Sequence, residues 1–356
     1  MESVVDKAFW CNKRVFITGH TGFKGTWLTH YLHLLGAQLA GYALEPGTTP
    51  SMYNQTQKNC IDSTIADIAN YQHLYDALNR FKPEIIIHMA AQPIVIEGYN
   101  KPIETFETNM MGTVNLLEAA RQCLSVRSIL VVTTDKCYQN SDNNQCSFKE
   151  GDSLGGNDPY SASKAACELI TQSYSESFFK KNSVGVATAR AGNVIGGGDW
   201  SPYRLIPDLM RGVKSKVPVE IRYPYAIRPW QHVLDALSGY LQLAQALYQQ
   251  PQQYSNPWNF GPSLEVVAKV EDIVYLLKEK INEIKVIWNE NPPPYHESHF
   301  LLLDSSKAFQ YFGWKPRWDL KQSLEKVSQW YEAYLNNDSL VEITMKQINE
   351  YQQGSF

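Results

Sequence analysis

Three glycines near the start of this 356-residue chain constrain its fold more than any other feature. They are spaced Gly19-x-x-Gly22-x-x-Gly25, after the mostly apolar stretch Arg14 to Thr18 and before helical spacing from Thr26 to Leu35. Such a turn lets a pyrophosphate approach the backbone amides at a helix N-terminus. The same turn could simply connect a strand to a helix. Its position between the two favours dinucleotide binding.

Strand and helix signals alternate through the first half of the chain. The predicted strands after the first are Gln38 to Leu44, Ile85 to His88, Ser128 to Thr133 and Val184 to Ala189, and the predicted helices include Ile103 to Gln122 and Pro159 to Phe179. Because parallel strands need helical crossovers, this alternation predicts an α/β fold with a doubly wound parallel sheet. The pattern loosens after Gly192. We therefore predict a dinucleotide-binding domain with the catalytic residues over 1–192, and a smaller C-terminal substrate-binding lobe over 193–356 with segments that cross back.

The composition argues against several classes of protein. Hydrophobic residues at 44% and charged residues at 19% are typical of globular chains, and the net charge of -4 argues against nucleic-acid and membrane-surface partners. The longest apolar runs fall well short of the roughly 18 residues that a bilayer span needs. The N-terminus lacks the pattern of a secretory signal, and the six cysteines contain no C-x-x-C pair. These features predict reduced thiols and a cytoplasmic location.

A tyrosine and a lysine four positions apart, Tyr160 and Lys164, predict redox chemistry at a carbinol carbon. A lysine ammonium beside a phenol is expected to lower the pKa of the phenol from about 10 toward the working range of a general base. Oxidation of a sugar hydroxyl to a ketone acidifies the neighbouring C–H bond. An acid and a base beside such a ketone would then expel water.

The acid and the base are predicted to be Asp135 and Lys136, which follow a strand at the carboxyl edge of the sheet. The aspartic acid would protonate a departing hydroxyl, and the lysine, after losing its proton, would remove a carbon-bound proton. The alternative is a solvated ion pair. Tyr160 nearby in the predicted fold favours the catalytic interpretation, which predicts a dehydratase.

The end of the second predicted strand bears on which dinucleotide binds. An acidic residue usually holds the adenosine ribose there, and this chain has Leu44 at that position. Glu45 lies one residue further, and Thr48 and Thr49 offer a looser contact. Because no arginine follows within this turn to bind a 2′-phosphate, NAD is predicted as the cofactor rather than NADP.

These motifs together resemble the extended short-chain dehydrogenase/reductase family, and more narrowly its nucleotide-sugar 4,6-dehydratases. The resemblance covers nearly the whole chain and rests on GHTGFKG at 19–25, HMAAQP at 88–93, DPYSASK at 158–164, RAGNVIGGGDW at 190–200 and RPWQHV at 228–233. It implies a Rossmann fold. The commoner dTDP-glucose and GDP-mannose dehydratases carry Asp-Glu or Ser-Glu in place of Asp135-Lys136. In this respect the chain is similar to the branch that acts on CDP-D-glucose.

The resemblance implies a redox-neutral cycle on CDP-D-glucose, with NAD as hydride acceptor and later donor. Tyr160, assisted by Lys164 and Thr134, would take the 4-hydroxyl proton. Lys136 would remove the C5 proton, and Asp135 would protonate the C6 hydroxyl as water leaves. The implied product is CDP-4-dehydro-6-deoxy-D-glucose, a precursor of 3,6-dideoxy sugars in surface polysaccharides such as lipopolysaccharide O-antigen.

The resemblance also implies two sets of binding residues. The cofactor set is Gly19, Thr21, Gly22, Phe23, Lys24, Gly25, Asp67, Ile68, Ala90, Ala91, Gln92, Tyr160 and Lys164. The substrate set is Gln92, Asn193, Arg204, Arg222, Arg228 and His296. Arginine suits a diphosphate because its planar fork donates two aligned hydrogen bonds.

Several of these assignments have alternatives. Asp67 could instead cap a helix that begins near Tyr71, and Arg222 could be a solvated arginine at a strand end. His296 lies where related dehydratases often have an arginine, so recognition of the cytosine base stays open. His296-Glu297-x-His299 lacks the spacing of a zinc site, and no metal is predicted.

Assembly and function have alternatives as well. In the resembled family, the helix at 109–122 and the one that carries Tyr160 pair across a dimer axis, which implies a homodimer or homotetramer. Burial of that helix against the sheet is the alternative. A 4-epimerase shares the tyrosine and the lysine but normally lacks the acid/base pair. A dehydratase acting on another nucleotide sugar and a regulator that senses NAD without turnover are the other functions left open.

Overall fold

A parallel sheet of seven strands forms the centre of the computed structural model, which describes residues 4–56, 60–140, 147–263, 268–289 and 300–354. The described strands are β1 Arg14–Thr18, β2 Gln38–Ala43, β3 Asp62–Ile65, β4 Ile85–His88, β5 Ser128–Val132, β6 Gly185–Ala191, β7 Val194–Ile195, β8 Val219–Ile221, β9 Ile227–Arg228, β10 Gln231–His232, β11 Trp258–Phe260, β12 Ala268–Lys269 and β13 Val286–Trp288. The large sheet has the order β11-β6-β5-β4-β1-β2-β3, with every neighbouring pair parallel. The other described strands pair as β7 with β10, β9 with β12 and β8 with β13.

Helices connect the strands and cover both faces of the sheet. The described α-helices are α1 Lys7–Trp10, α2 Phe23–Leu34, α3 Met52–Thr56, α4 Tyr71–Phe81, α5 Val95–Asn100, α6 Pro102–Phe106, α7 Gly112–Arg121, α8 Pro159–Tyr174, α9 Leu205–Ser215, α10 Val233–Gln249, α11 Pro251–Tyr254, α12 Val270–Lys278, α13 Ser306–Phe312, α14 Leu320–Leu335 and α15 Leu340–Gln353. A π-helical turn, Glu107–Met111, joins α6 to α7. In the part of the chain that the structure describes, no helix is long and apolar enough to cross a bilayer.

Successive residues of the central strands enter two different cores, because side chains alternate across a strand. In β1, Val15 and Ile17 belong to a core that also contains Trp27 of α2 and residues of α10. Phe16, which lies between them, belongs to a second core with Leu78 of α4 and residues of α7. The predicted doubly wound parallel sheet is therefore confirmed.

The element boundaries differ from the sequence predictions in a few places. The strands β1 and β4 have the predicted bounds, whereas β5 ends one residue early, at Val132. The helix α2 begins at Phe23 rather than at Thr26, because Gly22 already adopts the extended conformation of an N-cap. The strands β3 and β11 were not predicted.

Segments after residue 192 return to the large sheet. The strand β11 pairs with β6 at one edge, and α10 packs against β5 and β6. The C-terminal helix α15 packs against α2, next to the glycine turn. The C-terminal half thus contributes to both the sheet and its cover, and the domain boundary at residue 192 stays a prediction.

Four buried histidines are expected to make folding sensitive to acid. Burial lowers the pKa of His20 and His30 to about 4, and that of His88 and His232 to about 3. Below about pH 6.5 the unfolded chain therefore binds protons that the folded chain does not, so stability falls as pH falls. Asp235 acts in the opposite direction, because burial raises its pKa to about 6 and the folded chain takes up that proton first.

The four histidines outnumber Asp235 and the two other carboxyls whose pKa burial raises, Glu150 and Asp208. We therefore expect the free energy of unfolding to fall between about pH 6.5 and pH 4, by about 1.4 kcal/mol per pH unit for each net proton. Urea unfolding followed by tryptophan fluorescence at a series of pH values measures this slope. A midpoint that is constant across this range would contradict the prediction.

Candidate active site

A cavity of about 370 Å³ lies at the carboxyl edge of the sheet, where ligands bind in open α/β folds. It brings together predicted site residues from seven segments of the chain. These residues are Phe23, Lys24, Thr134, Asp135, Lys136, Tyr160, Asn193, Arg204, Arg222 and Arg228. The predicted acid/base residues and the predicted substrate arginines thus line one cavity.

The acid/base pair lies on a short turn after β5. A single 3-10 turn, Asp135–Cys137, begins at Thr134, whose Oγ1 accepts a hydrogen bond from the Lys136 amide at 3.3 Å. The Thr134 hydroxyl also donates to Asp135 Oδ1 at 2.9 Å. Asp135 is only 2% exposed, and its Oδ2 has no hydrogen-bond partner among the described residues. A buried acceptor without a partner is costly, so Oδ2 is the atom at which a ligand hydroxyl would be stabilised.

Tyr160 lies in the first turn of α8 and faces the acid/base turn. The helix begins there because Asp158 Oδ1 accepts a hydrogen bond from the Ser161 amide and Pro159 occupies the first helical position. Burial raises the pKa of the Tyr160 phenol, and a hydrogen bond with Thr134 and the charge of Arg204 only partly oppose this effect. The phenol is therefore protonated at neutral pH.

The expectation that Lys164 lowers the pKa of Tyr160 is wrong for this structure, in which burial dominates. The Lys164 ammonium is buried and donates to the Val132 carbonyl at 3.0 Å. Lys164 does not line the cavity and instead joins α8 to the end of β5.

Lys24 lies in the cavity, although the sequence analysis placed it with the cofactor residues of the glycine turn. Its ammonium is 5.9 Å from the centroid of the Tyr240 ring. Its pKa is lowered to about 7, chiefly by burial and also by the charges of Arg204 and Lys164, while Asp135 and Asp199 oppose the shift. Lys24 is thus electrostatically coupled to the acid/base turn.

The glycine turn has the close packing that a dinucleotide site requires. Gly19 has a φ of +75°, and a Cβ there would lie 2.7 Å from the Ala90 amide nitrogen. A Cβ at Gly25 would lie 2.2 Å from the Gly19 carbonyl oxygen. The helix α2 begins at this turn without a side-chain cap, so its first amides can bind a pyrophosphate. These residues fit NAD.

The predicted adenosine end of this site has an apolar side chain at position 44. Leu44 is 58% exposed, and the Thr21 hydroxyl donates to its carbonyl at 2.8 Å. Asp67 Oδ1 accepts a hydrogen bond from the Ala69 amide, whereas the N-cap of α4 is Asn70. The alternative in which Asp67 caps that helix is therefore wrong.

Other predicted cofactor residues lie behind the turn rather than in the cavity. Ile68 is buried, and a Cβ on Gly112 of α7 would collide with its side chain. The Gln92 amide donates to Thr105 at 2.8 Å and accepts from the Ile94 amide at 2.6 Å. Gln92 thus stabilises its own loop. Its predicted contacts with cofactor and substrate stay predictions.

The predicted substrate arginines enter the cavity from three segments. Arg204 forms an ion pair with Asp199 at 3.0 Å, and Arg222 donates to the Tyr203 carbonyl at 3.0 Å. Arg228 is buried in β9. Asp199, which the sequence analysis did not select although it lies in the RAGNVIGGGDW motif, thus orients one guanidinium. His296 lies outside the described residues.

Comparisons with known proteins confirm the resemblance to nucleotide-sugar 4,6-dehydratases. The family model described as GDP-mannose 4,6-dehydratase matches residues 16–327. CDP-glucose 4,6-dehydratase of Salmonella typhimurium is 43% identical, with 99% of each chain covered. A solved dTDP-glucose 4,6-dehydratase of Bacillus anthracis in complex with NAD has a TM-score of 0.73 at 20% identity, covering 93% of this chain and 99% of the other. A solved UDP-glucose 4-epimerase of Thermus thermophilus in complex with NAD has a TM-score of 0.76 at 22% identity, covering 90% of this chain and 99% of the other. The chain therefore belongs to the GDP-mannose 4,6-dehydratase family and is a homologue of CDP-glucose 4,6-dehydratase.

Proposed function

We propose that the protein is an NAD-dependent CDP-D-glucose 4,6-dehydratase. The observation that carries this proposal is that the acid/base pair Asp135 and Lys136 lines the same cavity as Tyr160. A dehydrogenase has no use for an additional acid and base at this place. The 43% identity to the Salmonella CDP-glucose enzyme, over 99% of both chains, supports the choice of nucleotide.

The chemistry divides into an oxidation and an elimination. When bound, NAD supplies the hydride acceptor for C4 and the hydride donor for C6. The deprotonated form of Tyr160, which burial makes a minor fraction at neutral pH, takes the proton of the 4-hydroxyl at its phenolate oxygen. Lys136, as the free amine, then removes the C5 proton at Nζ, and the Asp135 carboxyl protonates the departing C6 hydroxyl. Lys136 returns its proton to C5 when C6 is reduced. The product is CDP-4-dehydro-6-deoxy-D-glucose.

The contacts of Asp135 fit its role as the acid. Its Oδ1 is held by the Thr134 hydroxyl, which leaves Oδ2 as the oxygen available to the sugar. Both Asp135 and Tyr160 are buried, so water is largely excluded from the reacting groups. Exclusion of water strengthens the electrostatic interactions that stabilise the transition state.

Three arginines that line the cavity suit the diphosphate of the substrate. Arg204, Arg222 and Arg228 supply three planar guanidinium groups, which favour bidentate contacts with phosphate oxygens. Enclosure in the cavity would lower the pKa of Arg204, but the Asp199 carboxylate outweighs this effect and raises it. Arg204 therefore stays charged, and with Arg222, Arg228 and Asn193 it belongs to the proposed substrate-binding set.

A second copy of the chain is the proposed macromolecular partner. Exposed apolar side chains lie on α6, on the π-helical turn that follows it, on α8 and in the π-helical turn Ser175–Phe179 that follows α8, namely Ile103, Phe106, Met111, Leu169 and Phe178. The helix α8 packs against α6, α7 and the π-helical turn between them, so these side chains belong to one helical unit. Exposed apolar patches on soluble proteins mark interaction sites. A homodimer, alone or within a homotetramer, would cover them.

Substrate profiling tests the proposed function. The purified protein is incubated with NAD and, separately, with CDP-glucose, dTDP-glucose, GDP-mannose and UDP-glucose, and loss of one water is followed by mass spectrometry. We expect loss from CDP-glucose. Loss only from another nucleotide sugar would retain the mechanism and reject the substrate. Absence of water loss from all four would favour an epimerase or a regulator.

The exposed Leu44 predicts weak retention of NAD. A carboxylate at this position would accept hydrogen bonds from the adenosine ribose, and leucine cannot do so. We expect the purified protein to lose NAD on dialysis and to require added cofactor. The variant Leu44→Asp should bind NAD about tenfold more tightly or better, since a hydrogen bond to a charged group contributes about 1.5–3 kcal/mol.

Titration of NAD by calorimetry measures this difference, and retention after dialysis is read from absorbance. Leu124→Asp, which introduces the same charge at another exposed leucine, is the matched control and should leave NAD affinity unchanged. Full retention of NAD by the wild type after extensive dialysis would refute the prediction.

A further inference from the structure

A buried ion pair lies directly behind the acid/base turn. Arg190 of β6 and Glu168 of α8 are 2% and 4% exposed, and Arg190 Nη2 lies 2.8 Å from Glu168 Oε2. Burial would lower the pKa of the Arg190 guanidinium, but Glu168 more than compensates and the net direction is upward. A buried ion pair by itself contributes little net stability, because desolvation offsets the attraction. The residues that the ion pair contacts are therefore more informative about its role than its contribution to stability.

On one side the pair reaches the residue that precedes the turn. The hydroxyls of Thr133 and Thr188 both donate to the Glu168 carboxylate. Thr133 is the last residue before Thr134, Asp135 and Lys136, and its amide also donates to the Ala189 carbonyl of β6. Glu168 thus fixes the start of the turn to both α8 and β6.

On the other side the pair reaches the residue that follows the turn. Arg190 Nη1 donates to the Tyr138 hydroxyl at 2.7 Å, and the guanidinium lies 4.7 Å from the centroid of the Tyr138 ring. The Tyr138 hydroxyl donates to Asn259 Oδ1 of β11 at 2.7 Å. The ring of Tyr138 stacks on Phe148 with 4.8 Å between centroids. The end of the turn is thereby fixed to two strands.

We propose that Glu168, Arg190, Tyr138 and Asn259, here called the Arg190 network, position Lys136 for removal of the C5 proton. In this role the four residues act through the two ends of the turn; Tyr138 also lines the cavity, whereas Glu168, Arg190 and Asn259 do not. The proposal rests on the proposed function, because it assigns a step of that reaction. It also distinguishes the two half-reactions, since Tyr160 lies on α8, which begins at its own N-cap, Asp158.

Tyr138→Phe is the variant that tests this proposal. It removes the one hydroxyl that connects Arg190 to Asn259 and keeps the stacked ring. We expect elimination to slow by about 10- to 100-fold, because small misplacement of a catalytic group has effects of this size. The oxidation of C4 should change less than about twofold. The loss of water is followed by mass spectrometry, and C4 oxidation by the appearance of reduced nicotinamide.

Tyr351→Phe is the matched control. It removes another buried tyrosine hydroxyl, one that is bonded to Asp235 and Ser238 and does not line the cavity. We expect it to lower stability and to leave both half-reactions unchanged. If Tyr138→Phe folds poorly, Arg190→Lys provides a second test, because lysine keeps the charge but lacks the planar fork. Equal slowing of both half-reactions, or of neither, in a folded variant would overturn the proposal.

Hydrogen exchange provides a measurement that does not depend on substrate. A peptide covering residues 133–138 should exchange its amides several-fold faster in Tyr138→Phe and at the wild-type rate in Tyr351→Phe. Unchanged exchange in Tyr138→Phe would overturn the proposal even if the wild type proved inactive on CDP-glucose. Failure of the proposed function and failure of this inference are thus distinguishable.

Discussion

Replacement of Lys136 by alanine should leave C4 oxidation intact and slow the elimination of water by about 100- to 10,000-fold, the range of general base catalysis. Lys136 lines the cavity, and its backbone amide is bonded to Thr134. Alanine keeps that backbone bond, so the turn and Tyr160 are expected to stay in place. The oxidised sugar then accumulates because the C5 proton has no base to accept it.

Single-turnover kinetics can measure C4 oxidation and the elimination of water separately. With Lys136→Ala, absorbance should show reduced nicotinamide that persists, while mass spectrometry shows almost no loss of water. Lys346→Ala removes an exposed lysine of α15 and should behave as the wild type. Lys136→Glu, which recreates the Asp-Glu pair of the dTDP-glucose enzymes, should restore part of the elimination. Normal product formation by Lys136→Ala would remove this lysine from the mechanism.

Tyr160→Phe should block the reaction one step earlier, with C4 oxidation slowed by about 100- to 10,000-fold and no reduced nicotinamide detected. The change removes the phenol oxygen that takes the 4-hydroxyl proton and keeps the buried ring. Because the hydroxyl bonded to Thr134 is lost, stability should change by about 1 kcal/mol or less. Thermal unfolding measures this change and distinguishes a catalytic defect from a folding defect.

The pH dependence of oxidation provides a second check on Tyr160. Burial raises the pKa of this phenol, so the fraction that is deprotonated grows as pH rises from neutral values. The rate of C4 oxidation by the wild type should therefore increase with pH, and the residual rate of Tyr160→Phe should not follow the same profile. Tyr254→Phe, which changes a buried tyrosine that does not line the cavity, is the control. An increase that is identical in Tyr160→Phe would assign the titration to another group.

The sequence predicted those parts of the fold that local pattern determines. The strands β1 and β4 are short apolar runs buried on both faces, and their bounds were read directly from the chain. The strand β3 was missed because Asp62–Ile65 is largely polar and exposed at the sheet edge. The strand β11, Trp258–Phe260, was missed because three residues carry no periodic signal. Its pairing with β6 depends on contacts between distant segments.

In the candidate site too, some features could be predicted from the sequence and others depend on how the chain packs. Position at the end of a parallel strand predicted that Asp135 and Lys136 would lie at the carboxyl edge of the sheet, and the predicted fold placed Tyr160 near them; all three line one cavity. The pKa of Tyr160 was predicted with the wrong direction, since sequence does not reveal how deeply a phenol is buried. The Arg190 network was missed because its members are distant in sequence and meet only when β5, β6, α8 and β11 are assembled.

The position of β11 at the edge of the sheet has a consequence for synthesis of the chain. Nascent domains fold largely from the N-terminus, and an unpaired strand edge is a template for association with other chains. In a nascent chain that has emerged only as far as Ala191, β6 lacks its outer neighbour, because Trp258–Phe260 has not yet been made. The first half of the protein therefore passes through a period on the ribosome in which one edge of its sheet is open, and only translation of the β11 segment closes it.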